Sequence, residues 1–311
     1  MSRRSLVFLL VLSAAIGLFG AGAARASWER VQVQVITIHY TTHDGFRRDA
    51  YVVLPEWYGP WSNPPLPLII SPHGRGVSAE ENVDRWGDLP ALGSFAVVNP
   101  EGQGRRLENF SWGYQGQIAD LARMPGIVTR AIPWLRIDHS RIYAFGTSMG
   151  GQETLLLVAR HPSLLAGAAA FDAVTDMSQR YRDFGELRCA RRCQREWGSI
   201  GRGLQDLARE EIGGTPWSDP RAYALRSPIT YARQIARSGV PLELWWSRAD
   251  QVVESRDQSV RLAQRLERLH PVGPLHLFAG GWPHSVDMRP YYMLIPALKE
   301  FGLFPTAKAA A

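Results

Sequence analysis

The spacing of short apolar runs constrains this chain most. Segments 66–71, 94–99, 141–145, 166–171, 241–246 and 274–278 are each five or six residues long and mostly apolar. Such runs suit strands buried on both faces of a parallel sheet. Between them lie stretches with helical periodicity. Residues 115–135 place Ile118, Leu121, Ala122, Ile127, Val128, Ile132 and Leu135 on or near one face, and Pro125 is predicted to kink or split that helix. Further helices are predicted over 150–161, 256–269 and 290–301. This alternation implies an α/β fold with a mostly parallel central sheet and helices on both faces. Ahead of it, 31–39 alternates Val31, Val33 and Val35 with Gln32, Gln34 and Ile36, the pattern of a half-buried edge strand. Residues 49–54 read as a second strand.

One segment breaks the rhythm. Residues 176–226 are too long for a simple connection and carry Trp197, Ile200, Leu204 and Leu207 near one helical face. They are predicted to form a small helical cap inserted after strand 166–171. Packing on the sheet edge without touching a ligand fits the pattern equally well, because amphipathicity shows only that one side is buried. The two cysteines, Cys189 and Cys193, fall in this segment. A local disulfide suits an exported chain, although four-residue spacing on a regular helix gives poor bridging geometry. No histidine lies near them in sequence, which argues against zinc.

The first 26 residues are set apart from the fold. Arg3 and Arg4 precede an apolar stretch at 6–19, and small residues follow, ending Ala24-Arg25-Ala26. This is the pattern of a secretory signal peptide cleaved after Ala26, leaving 27–311 as one domain, secreted or periplasmic. The apolar stretch is short for a membrane span, so none is expected after processing. The whole chain has 35 basic and 29 acidic residues. Loss of Arg3, Arg4 and Arg25 leaves 32 against 29, dispersed and often adjacent, as in Arg209-Glu210. That is a solvated surface and not the footprint of a nucleic-acid binder.

The sharpest motif is Gly146-Thr147-Ser148-Met149-Gly150-Gly151. It follows the run 141–145 and opens the next predicted helix, the context in which G-x-S-x-G presents a nucleophile. The flanking glycines let a tight turn pass without a clash. A serine hydroxyl needs a base. His284 is the candidate, in the Gly-rich loop Gly280-Gly281-Trp282-Pro283-His284-Ser285. His161 and His270 end helices, and His276 lies within a strand. The acid that would orient His284 should leave the preceding strand, which places Asp250 there. Asp172 and Asp176 are alternatives, while Asp257 reads as a first-turn acid of the next helix. Oxyanion donors are predicted at the N–H of Met149 and of Arg75, with Gly74 close behind, in the loop His73-Gly74-Arg75-Gly76. His73 is expected to orient that loop. Among the nearby tryptophans, Trp57 and Trp61 are expected to pack, and Trp282 is placed equally well in a cleft wall or in packing. This chemistry calls for no metal and no organic cofactor.

A longer pattern adds to these readings. Ser227-Pro228-Ile229-Thr230-Tyr231-Ala232, then Val240-Pro241-Leu242, then Asp250 with Val253 and Gln258-Ser259, resembles the catalytic domain of prolyl oligopeptidase-like hydrolases. The resemblance covers residues 66–301. It implies the α/β-hydrolase fold and a triad of Ser148, Asp250 and His284. Several of those peptidases use a tyrosine in the oxyanion loop, whereas His73-Gly74-Arg75-Gly76 is more similar to secreted esterases and polyester depolymerases. The substrate implied is a small or polymeric carboxylic ester, cleaved through an acyl-enzyme. A peptidase is the alternative and would need an anionic site for a substrate amine, at Glu101 or Glu108. A non-catalytic binding protein on a hydrolase scaffold is the alternative of another class.

Overall fold

The computed structural model describes residues 32–186, 201–286, 288 and 293–305. The predicted signal peptide, both cysteines, Trp197 and Ile200 lie outside the described residues.

Eight strands form one sheet: β1 (Val33–Thr41), β2 (Arg47–Pro55), β3 (Leu66–Ile70), β4 (Ala96–Pro100), β5 (Ile137–Thr147), β6 (Gly167–Phe171), β7 (Leu242–Ser247) and β8 (Leu275–Gly280). Their order across the sheet is β1-β2-β4-β3-β5-β6-β7-β8. β1 pairs antiparallel with β2 and β2 with β4, and every later pairing is parallel. The predicted edge strand is therefore at the edge. Every residue of β3, β4 and β6 is buried, as the apolar runs required. Ser94 does not join β4 as predicted. It closes the preceding helix in the left-handed region, at φ 54°, and the chain straightens only afterwards.

The described helices are α1 (Ala79–Val83), α2 (Leu89–Gly93), α3 (Gln115–Ala131), α4 (Met149–Arg160), α5 (Met177–Glu186), α6 (Arg202–Ile212), α7 (Pro220–Leu225), α8 (Ala232–Arg237), α9 (Ser259–Arg268) and α10 (Leu294–Glu300). Side chains alternate along β5 to serve two cores. Ile142 and Ala144 pack with Leu121, Val128 and Leu155 on the side of α3, α4 and α9. Tyr143 and Phe145 face the other way, toward Trp86, Phe171, Trp245 and Leu298.

Two helix predictions need correction. α3 runs unbroken through Pro125, whose ring is buried in the helix interior. An interior proline costs about 3 kcal/mol. Leu121, Met124, Ile127 and Val128 are buried around it, and burying each such side chain contributes about 1.5–3 kcal/mol, so packing outweighs the lost hydrogen bond. α9 starts at Ser259 behind Gln258. Asp257 therefore sits in the preceding turn and is not a first-turn acid.

The segment after β6 supplies α5, α6 and α7. Tyr181, Phe184, Leu204, Ala208, Ile212 and Tyr223 form one cluster with Trp112, Met149, Val252 and Val253. The insertion thus packs over the start of α4 and the loop after β7, rather than lying along the sheet edge. Glu211 ties it down. Its carboxylate accepts the backbone N–H groups of Arg105 at 2.6 Å, Arg106 at 2.7 Å and Leu107 at 3.0 Å, and that of the Arg226 guanidinium at 3.1 Å. This pair is buried, so removing one partner would strand the other charge.

A second buried acid sets a pH dependence. Glu153 lies on α4 and accepts a hydrogen bond from the Ser111 hydroxyl. Burial pushes its carboxyl up to about 8 from an ordinary value of 4.5. Its folded-state value is raised, so its contribution to stability is complete below about pH 4.5. That contribution is lost as pH rises and is gone above about 8. Glu153→Gln is expected to flatten the decline of the urea midpoint over this range. An unchanged pH profile of the midpoint would show that Glu153 is ionised in the folded protein.

Candidate active site

The site is assembled at the C-terminal ends of β3, β5, β7 and β8. β5 ends at Thr147 and α4 begins at Met149, leaving Ser148 alone on the turn with φ 57° and ψ −119°. A side chain in that region is strained, and neighbouring structure must hold it there. Ser148 N–H donates to the Phe171 carbonyl at 2.9 Å, and Ser148 O accepts from Gln152 N–H at 3.0 Å. The glycines are required by closeness. A Cβ on Gly146 would lie 2.4 Å from the Gly150 carbonyl oxygen, and one on Gly150 would lie 2.2 Å from that of Pro72. The turn can therefore press against the loop after β3 only without side chains.

His284 stands in the loop after β8. Its Nδ1 lies 2.6 Å from Oδ2 of Asp250, and the two side chains are 2% and 0% exposed. The other oxygen of Asp250 accepts the N–H groups of Val252 at 2.7 Å and Val253 at 2.9 Å. With the carboxylate ionised, the Nδ1 proton points to Asp250, and Nε2 is left as the basic nitrogen. Ser148 and His284 line one cavity, together with Gly74, Arg75 and Met149. The structure thus brings the five predicted site residues into one place, with Asp250 reaching the cavity through the imidazole.

Asp172, the alternative acid, is beside this pair but does a different job. Its carboxylate accepts N–H groups from Ser247 at 2.9 Å, from Ser285 at 3.2 Å and from the Trp282 indole at 3.2 Å. It therefore holds the His284 loop and not the ring. Burial, then the charge of Asp250, pushes its carboxyl up to about 6. Trp282 is 4% exposed and belongs to this packing. Asp176, the other alternative, caps the first turn of α5, accepting Gln179 N–H at 3.0 Å. Of the two tryptophans expected to pack, Trp57 does so in part, its ring edge-on to Tyr58 at 5.7 Å and 47% exposed, whereas Trp61 is 99% exposed.

His73 is buried behind the loop after β3. Its Nδ1–H donates to the Gly74 carbonyl at 2.8 Å, and its Nε2 accepts Gly102 N–H at 2.7 Å. Burial lowers it to about 4, so the ring is a neutral brace between the loops after β3 and β4. Oxygen and nitrogen atoms of Asp172, Asp250 and His284 come within 4.8 Å of one another, a spacing a metal could bridge. Both carboxylates are already engaged by N–H donors, the arrangement of a proton-transfer network rather than of a ligand set.

Similarity to known proteins follows the same geometry. The model of the prolyl oligopeptidase family matches residues 128–279, which include the Ser148 turn and Asp250. The acylaminoacyl peptidase of Pyrococcus horikoshii superposes with a TM-score of 0.64 at 18% identity, over 88% of this chain and 42% of that one. A fungal esterase of Rhizomucor miehei superposes with a TM-score of 0.64 at 14% identity, over 88% of this chain and 85% of that one. The chain has the α/β-hydrolase fold. Poly(3-hydroxyalkanoate) depolymerase C of Paucimonas lemoignei is 30% identical to this α/β-hydrolase over 110 residues, which are 33% of this chain and 27% of the depolymerase. The matches thus span less than half the length of the depolymerase and of the Pyrococcus peptidase.

Residues that sequence reasoning missed also line the cavity. They include Arg85 on the turn after α1, and Arg180 and Phe184 on α5. The spacing of Arg180 and Phe184, one helical turn apart, was their only signal.

Proposed function

We propose that this α/β-hydrolase is an exported serine hydrolase that cleaves carboxylic esters. The observation that carries the reading is the imidazole of His284, fixed by Asp250 at 2.6 Å and opening onto the same cavity as Ser148. Ser148 Oγ attacks the ester carbonyl carbon as its proton passes to Nε2 of His284. The carbonyl electron pair moves to oxygen, where the N–H groups of Met149 and Arg75 receive it. The tetrahedral intermediate collapses, the carbon–oxygen bond to the alcohol breaks, and the imidazolium returns its proton to the leaving oxygen. Water then repeats the sequence on the acyl-enzyme and releases the acid and free Ser148.

Two observations support an ester over a peptide. Glu101 accepts Ala79 N–H at 3.0 Å, and Glu108 pairs with Arg48 at 2.8 Å. Neither lines the cavity, so the anionic site an aminopeptidase would need is not supplied by them. The depolymerase relative acts, by its name, on a polyester. The test is a panel of 4-nitrophenyl esters and aminoacyl 4-nitroanilides with the mature protein. Ester turnover with little or no anilide cleavage is expected. Cleavage of anilides with esters untouched would overturn the ester reading, and failure of a fluorophosphonate to label Ser148 would overturn catalysis altogether.

A further inference from the structure

The cavity beside Ser148 is lined by three arginines, Arg75, Arg85 and Arg180, and among the described residues by no Asp or Glu. Arg180 is the most unusual of the three. It sits on the first turns of α5, is 3% exposed, and has no hydrogen bond or ion pair from its guanidinium among the described residues. The ring of Phe184 lies 4.5 Å from the guanidinium carbon, and the charges of Asp183 and Asp250 act on it without a hydrogen bond among the described residues. The nearest acids are committed elsewhere. Asp183 accepts from the side chains of Gln179 at 2.7 Å and Gln258 at 3.3 Å. Asp250 is held by His284, Val252 and Val253.

A buried guanidinium has lost its hydration, and a planar fork of N–H donors without acceptors is costly to keep. Burial accordingly lowers Arg180 to about 10, which still leaves it charged at neutral pH. An anion entering the cavity would restore the missing bonds. Guanidinium geometry matches a carboxylate through two parallel N–H···O bonds. Phosphate would fit the charge too, but Val174, Phe184 and Val252 share the lining with Arg180, and that apolar surround suits a singly charged carboxylate on a carbon chain.

We propose that Arg180 is the anchor for a free carboxylate on the substrate, so that this α/β-hydrolase acts on esters that carry a second, ionised carboxyl group. Monoesters of dicarboxylic acids and the acid ends of hydroxy-acid oligoesters share that chemistry. The proposal rests on the ester reading above. It assigns α5 a role in selecting substrate, whereas the chemistry stays with Ser148, His284 and Asp250.

The test compares mono-4-nitrophenyl glutarate with the neutral 4-nitrophenyl pentanoate, which presents a similar chain without the charge. 4-Acetoxybenzoate against phenyl acetate asks the same question for a carboxylate on the alcohol side. The wild-type protein is expected to prefer the anionic member of one pair by roughly 10- to 100-fold in kcat/KM, mostly through KM, as one charge-assisted bidentate contact supplies. In Arg180→Met that ratio is expected to fall to near one, and Arg180→Lys should keep part of it. A ratio near one in the wild type, or a ratio unchanged in Arg180→Met, would overturn the carboxylate site while leaving the ester reading in place. If no ester is cleaved although Ser148 takes a fluorophosphonate, the ester reading falls. Calorimetry with glutarate then decides the carboxylate site by whether binding disappears in Arg180→Met.

Discussion

Ser148→Ala is expected to lose activity on the best ester by on the order of 10⁶ in kcat, with the folded structure intact. The magnitude follows from the division of labour at the turn. In the proposed reaction the hydroxyl forms the covalent bond to the acyl carbon, and the imidazole takes its proton. Residual turnover would come from the oxyanion N–H groups and from binding. The substitution should also relieve little strain, because alanine at φ 57° is no better placed than serine. The measurement is single-turnover kinetics on a 4-nitrophenyl ester beside fluorophosphonate labelling. Near-normal turnover in the variant would remove Ser148 from the reaction.

Asp250→Asn is the second large effect, on the order of 10⁴ in kcat. An asparagine can keep the hydrogen bond to His284 only by presenting its oxygen or by offering its own N–H to the ring. The second choice turns the imidazole into the wrong tautomer. The choice is biased, because the other oxygen of Asp250 already accepts Val252 and Val253 N–H groups, and the asparagine oxygen is drawn to them. Its amide nitrogen then faces Nδ1. Asp172→Asn supplies the contrast. It loosens the hold on Ser285 and Trp282 but leaves the ring's partner in place, so its loss should be far smaller. Equal losses in the two variants would mean that loop position, and not the tautomer of His284, limits the reaction.

The central strands were legible because both of their faces are buried, and short apolar runs have little other use. The Ser148 turn was legible for a related reason. Gly146 and Gly150 stand where a Cβ would strike backbone, so the sequence records the closeness directly. Asp250 and His284 could be placed by their position after β7 and β8. What stayed hidden depends on contacts between distant segments. Nothing local distinguishes Asp172, which braces the His284 loop, from Asp250, which binds the ring. Both simply follow a strand. Pro125 misled for the opposite reason, since a local rule was overridden by the buried face around it. Arg180 reads as one arginine among many until α5 is seen to turn it away from water, beside the ring of Phe184.

The grip of Glu211 on three successive amides has a consequence for how the insertion can move. The carboxylate fastens α6 to the loop after β4, and Arg226, just past α7, joins the same contact. For α6 to move as a body, the molecule would have to give up three amide hydrogen bonds and a buried charge pair at once. That end of the insertion therefore acts as a fixed abutment, and any flexing of the segment after β6 has to be taken up elsewhere along it.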